Sequence, residues 1–301
     1  MITSDPSPLP NQAALEPEIH SEPNFPPPPT MPTKEDTAWW DLGKAITAWV
    51  GSIALLLLVP LIILLPYFVY LFVHSGPPTP EALGQDKTFI LLSIVGVIPA
   101  HALTLLLAWA LVTRWGRQPF WQTLRLSWPP GVAPLQGIAI CAFLAMVLLG
   151  IGVLITSFLG GGKTDLDRLI ESSFQARLAT AFLAVATAPL VEETIYRGML
   201  YPALQRVIGM GGAIAIVSVM FAGVHVLQYK NNLGVIAVIA VLSITLTVVR
   251  ALSDRLLPSV VIHLVFNGLQ SLYLILQPFV EKTEKVQPAP AIIGWLLRHV
   301  F

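Results

Sequence analysis

Long stretches without charge set the pattern of this chain. Ala45 to Val73 is uncharged over 29 residues, well beyond the roughly 20 that an α-helix needs to cross a bilayer. Thr88 to Val112 is a second such stretch, with His101 inside it, and Val132 to Gly162 contains a third. Leu178 to Val207, Ile208 to Gln228, Leu233 to Val249 and Leu257 to Val280 follow, and only the first of these four carries a charged cluster. The pattern predicts an all-α fold, a polytopic transmembrane helix bundle of about seven spans. Pro60 and Pro66 inside the first stretch predict a kink or a tilt there. Ala289 to Phe301 is too short to span and reads as an interfacial segment.

Composition supports that class. The chain is 55% hydrophobic and 11% charged, against roughly 25% charged in a soluble domain. Seventeen Lys and Arg balance 17 Asp and Glu, so nothing argues for nucleic acid as a partner. The lone Cys141 excludes an intramolecular disulfide and a cysteine-cluster metal site, and it reads as a small buried apolar residue. Met1 to Asp36 holds 10 of the 26 prolines and reads as a disordered, polyproline-like tail. It lacks the pattern of a cleavable signal peptide, which leaves the first span to direct insertion. The partners expected are the lipid bilayer and whatever the bundle acts on. The expected location is an integral, multi-pass protein of the cell membrane.

The segment "TRWGRQPFWQTLRLSWPP" brings Arg114, Arg117 and Arg125 together with Trp115, Phe120, Trp121 and Trp128. Aromatics suit the headgroup level and arginines the cytoplasmic side, which predicts an N-terminus-inside topology. Lys163, Arg168 and Arg177 would fall on the opposite face if seven spans alternate. No internal repeat is visible, which argues against the common transporter folds.

The charges inside the fourth span need a reason. In "APLVEETIYRGML" Glu192, Glu193 and Arg197 lie among Leu, Val, Ile, Tyr and Met. A charged residue at mid-depth costs at least ~2.5–3.5 kcal/mol on insertion scales. Glu193 and Arg197, four apart, share a helix face and can pair. Glu192 lies about 100° round the helix and is aimed elsewhere. Pro189 removes an N–H just upstream and loosens the helix. Two more spans carry His225 in "FAGVH" and His263 with Asn267 in "HLVFN", the latter two also four apart. Each alone suits a structural role: an ion pair, a helix–helix hydrogen bond, a polar contact between spans. His101 has no motif around it and keeps that structural reading. Together the others supply a carboxylate, two imidazoles, an amide and a guanidinium on three consecutive spans. Those are the groups that activate water and stabilise an oxyanion.

Here the chain resembles a known family. "EETIYR" fits EExxxR, "FAGVH" fits FxxxH and "HLVFN" fits HxxxN, the three signatures of the CPBP intramembrane proteases. That family includes type II CAAX prenyl endopeptidases and bacteriocin-processing or self-immunity proteins. The resemblance covers Leu178 to Gln277 and divides the chain into the tail 1–36, helices and loops 37–177, a core 178–280 and a C-terminal segment 281–301. It implies that Glu192 activates water, with Glu193 and Arg197 as a supporting pair. It implies that His225 holds the water with Glu192, and that His263 and Asn267 serve the oxyanion or a metal. Two His and one Glu are also ligand types of an open zinc site, although HExxH is absent. Zinc is the metal those ligands suit.

The reading is an intramembrane endopeptidase that cleaves a lipidated or membrane-associated peptide or protein. A non-catalytic binding or immunity protein of the same fold is the first alternative, and a proton-coupled transporter relaying through Glu192 is the second. The protease reading requires Glu192, His225, His263 and Asn267 to face one cavity and Arg197 to pair with Glu193.

Overall fold

The computed structural model describes residues 40–162 and 164–284. Twelve α-helices and two π-helical segments make up their regular structure. Helix α1 is Leu42–Ser75; α2 is Pro80–Gln85, α3 Lys87–Val95 and α4 Val97–Thr113. The short α5, Phe120–Thr123, precedes α6, Pro134–Leu159, and α7, Asp165–Glu171. Helix α8, Phe174–Phe182, leads through the first π segment, Leu183–Thr187, into α9, Ala188–Glu192. The second π segment, Glu193–Leu200, continues into α10, Tyr201–Tyr229. Helices α11, Leu233–Ser253, and α12, Leu257–Glu284, complete the described residues.

Local chemistry starts these helices where they start. The Asp41 carboxylate accepts from the Lys44 N–H at 2.8 Å and caps α1. Asp86 accepts from the N–H groups of Thr88 and Phe89 at the head of α3. Thr164 and Asp167 form a reciprocal capping box on α7. Helix α1 runs through Pro60 and Pro66 without losing its helical assignment. Gly96 separates α3 from α4 where the two helices pass close to α1: a Cβ there would lie 3.2 Å from Pro60 Cα, a tight contact.

Six helical runs among the described residues are long and apolar enough to cross a membrane. The fourth covers 56 residues, Phe174–Tyr229. Gly209, with φ 74° and ψ 174°, breaks it into two passes. Divided there, the described residues make seven passes, in line with the about seven that the hydrophobic pattern predicts. The Pro-rich tail 1–36 and the segment Ala289–Phe301 lie outside the described residues.

Contacts at the loops define two ends. At one, Trp40 Nε1 donates to Met199 O at 3.1 Å, Arg206 donates to Trp40 O and Arg125 pairs with Asp254. At the other, the Gly162 N–H donates to Asn231 O at 3.0 Å and Arg177 donates to Leu274 O at 3.2 Å. Successive passes therefore alternate in direction. Outward-facing side chains such as Leu57, Ile62, Phe143 and Phe158 are large, apolar and exposed, as a lipid-facing surface requires. This is an integral membrane protein. One buried cluster gathers Trp40, Ile195, Tyr196, Met199, Leu200, Phe221 and Leu256 around the second π segment. Another packs α6 against α11 and α12 through Cys141, Leu148, Leu246 and Phe266.

Candidate active site

The site begins with an irregular helix. Pro189 has no N–H, and its ring clashes with the carbonyl four residues back in an α ladder. A π turn relieves both problems by shifting the hydrogen bonds to a five-residue spacing. The Ala188 N–H donates to Leu183 O in that register. Pro202 stands in the same relation to the second π segment, two residues past its end, where the Tyr201 N–H donates to Tyr196 O. Between the two π segments, α9 ends on Glu192.

Glu193 and Arg197 form a sealed pair. Arg197 Nη1 donates to Glu193 Oε1 at 3.0 Å, and both side chains are fully buried. Arg197 Nη2 donates to Ser243 Oγ at 2.7 Å and to Ser243 O at 3.0 Å. Its Nε donates to Thr247 Oγ1 at 3.2 Å, and its guanidinium lies 4.5 Å from the centre of the Phe221 ring. The pairing expected from the i,i+4 spacing is therefore present. Ser243 and Thr247 come from α11, and neither figures in the three motifs. Ser243 and Thr247 are four apart and share a helix face, while Thr245 between them points elsewhere and bonds to Val241 O.

His263 connects this pair to Glu192. Its Nδ1 is 2.9 Å from Glu193 Oε1, and its Nε2 is 3.6 Å from Glu192 Oε2. The second oxygen of Glu193 is buried without a hydrogen-bond partner. Ser259 lies beside that carboxylate, but its hydroxyl donates to Leu256 O at 2.9 Å.

His225 approaches Glu192 from α10. Its Nδ1 donates to Phe221 O at 2.8 Å, and its Nε2 lies 4.0 Å from Glu192 Oε1. That separation is too long for a direct hydrogen bond and within the reach of one bridging water. The Glu192 and His225 side chains remain 24% and 20% exposed, whereas His263 is 3% exposed. The cluster thus grades from a sealed ion pair to an open edge.

Asn267 shares the His263 face of α12, but its amide turns elsewhere. Asn267 Nδ2 donates to Ala184 O at 3.0 Å, in the first π segment. His101 also reaches that segment: it is buried on α4, with Nδ1 2.8 Å from Thr187 Oγ1. So Glu192, Glu193, Arg197, His225 and His263 come together, while Asn267 and His101 hold the turn upstream of Glu192. No pattern around His101 marked it in the sequence, because its partner lies 86 residues away.

Residues 174–269 match the family model described as type II CAAX prenyl endopeptidase Rce1-like. This is the family to which the three motifs point. The Rce1-like region contains all seven motif residues and extends from the start of α8 into α12. No curated protein and no solved structure matches the chain. The protein therefore carries a region of membrane-protease type within a helical membrane bundle.

The geometry also bears on zinc. A tetrahedral site with bonds of about 2.0–2.1 Å needs neighbouring ligand atoms about 3.3–3.4 Å apart. Glu192 lies 3.6 Å from His263 and 4.0 Å from His225. Among the described residues no group of three His, Cys, Asp or Glu side chains is arranged to hold a metal ion. The donor types suit zinc, but their spacing does not form a closed ligand set, so the chemistry below is derived from the side chains alone.

Proposed function

We propose that the protein is an intramembrane endopeptidase that cleaves a peptide bond of a lipidated or membrane-associated substrate. One observation carries the reading: a partly exposed carboxylate, Glu192, stands between two imidazoles, each fixed through Nδ1 by a buried acceptor. Glu192 takes a proton from a water held against His225 Nε2, and the oxygen attacks the scissile carbonyl carbon. The oxyanion accepts from His263 Nε2–H, and Glu193 holds that ring in place through Nδ1. Glu192 then gives its proton to the leaving amine as the C–N bond breaks. Arg197 neutralises Glu193 and sets its position. We place the end bearing Lys44, Arg114, Arg117, Arg125, Arg206 and Arg255 on the cytoplasmic side of the cell membrane, following the positive-inside tendency.

The test is Glu192→Gln, which keeps size but removes the base. Turnover of a membrane peptide should fall by roughly 10²–10⁴-fold, with folding unchanged and substrate binding retained. A binding or immunity protein of this fold would keep its function in that variant. Equal turnover by wild type and Glu192→Gln refutes the mechanism.

A further inference from the structure

We propose that His101 and Asn267 are positioning residues that clamp the π turn Leu183–Thr187 from two sides and thereby aim Glu192. The inference rests on the reading of Glu192 as the general base. It begins with a backbone account. In an α ladder the Ala184 carbonyl would accept from the Ala188 N–H, but Ala188 donates to Leu183 O. In the π register the next donor would be residue 189, and Pro189 has no N–H. Ala184 O is therefore left without a backbone partner by the same proline that induces the turn. Asn267 Nδ2 supplies the missing donor at 3.0 Å, from 83 residues away. A partly buried carbonyl in a membrane-spanning helix would be costly to leave without one, so this contact favours the π turn over its α alternative.

On the other side, His101 holds Thr187, the last residue of the turn. The Thr187 hydroxyl is oriented to Leu183 O at 3.4 Å and meets His101 Nδ1 at 2.8 Å. The two contacts come from α4 and α12, helices far apart in the chain. Their effect on the site follows from helix geometry. A π turn accommodates about one extra residue, which rotates the following helix by about 100° relative to an unbroken α-helix. Glu192 lies five residues beyond Thr187 on the rotated segment. Relaxing the turn would swing its carboxylate away from His225 and His263, and a displacement of about 1 Å at such a centre can cost roughly 100-fold in rate.

Full-length protein purified in detergent provides the test, with two readouts. The first is amide hydrogen exchange, which does not depend on catalysis. Thr187→Val, His101→Leu and Asn267→Leu should each speed exchange across residues 183–192 by roughly tenfold or more while leaving 210–229 unchanged. Thr187→Ser and His101→Asn, which keep the hydroxyl and a donor near the Nδ1 position, should restore wild-type protection. Pro189→Ala supplies the absent N–H, so adding Asn267→Leu to it should produce no further change. Unaltered exchange in both Thr187→Val and Asn267→Leu overturns the clamp, whatever the activity. If Asn267→Leu also opens 210–229, it is globally unfolded, and the near-isosteric Thr187→Val decides. The second readout is peptide cleavage: kcat should drop roughly 10- to 100-fold at unchanged KM in Thr187→Val and recover in Thr187→Ser. Glu192→Gln is assayed beside them. If it turns over like wild type, the peptidase reading fails, and the exchange data still judge the clamp.

Discussion

Replacing Arg197 by Met is the sharpest test of how this membrane core is held together. Met fills much of the same volume, so the change removes charge and hydrogen bonds more than packing. Arg197 donates to Glu193, Ser243 and Thr247 from a fully buried position. Thr247 keeps its own hydrogen bond to Ser243 O at 2.7 Å, so the main casualty is Glu193. That carboxylate already has one oxygen without a partner, and after the substitution it keeps only His263 at 2.9 Å. Breaking a buried ion pair by removing one partner costs roughly 3–5 kcal/mol. At about 2–4 °C per kcal/mol for a domain of 150–250 residues, the melting temperature should fall by about 6–20 °C. Tryptophan fluorescence during heating of detergent-purified protein measures it, with monodisperse yield from size exclusion as a second readout. The double variant Glu193→Gln/Arg197→Met removes the stranded charge and keeps an acceptor for His263. It should recover most of the lost stability. A double variant as unstable as Arg197→Met alone would refute the argument that charge burial, and not the lost guanidinium contacts, dominates.

Three further outcomes are expected. Gly161→Ala should destabilise the protein by roughly 1–3 kcal/mol, because Gly161 has φ 152° and a Cβ there would lie 2.7 Å from Asn232 Cα; thermal unfolding checks it. Deleting residues 1–36 should leave cleavage in membranes intact, since that composition buries too little apolar surface to join a core; a matched assay of full-length and truncated protein decides, and lost turnover at equal expression assigns the tail to substrate recruitment. Incubation with a chelator should leave turnover unchanged if the side chains alone carry the chemistry, and inhibition reversed by zinc would instead assign His225 and His263 to a metal.

Much of this architecture could be read from one dimension. Helices in a bilayer satisfy their backbone internally, so uncharged runs mark the passes directly. The expected stretches Ala45–Val73 and Leu233–Val249 correspond to helices Leu42–Ser75 and Leu233–Ser253. The i,i+4 spacing of Glu193 and Arg197 likewise foretold their pairing, because neighbours on one helix face meet whatever else the chain does. The motifs also pointed to the family that the Rce1-like match names. What the sequence left open depends on contacts between distant passes. Whether Asn267 turns to an oxyanion or to Ala184 O depends on how α12 packs against a π turn, and that turn depends on Pro189. His101 carries no local signal because Thr187 becomes its neighbour only when α4 packs against the fourth pass. The division between Val207 and Ile208 was expected from the hydrophobic pattern, and the structure adds the positive φ of Gly209 on which the chain turns. Periodicity specifies a helix and its faces within a few turns, whereas the direction of a buried polar group is decided by whichever donor or acceptor the assembled bundle leaves unpaired.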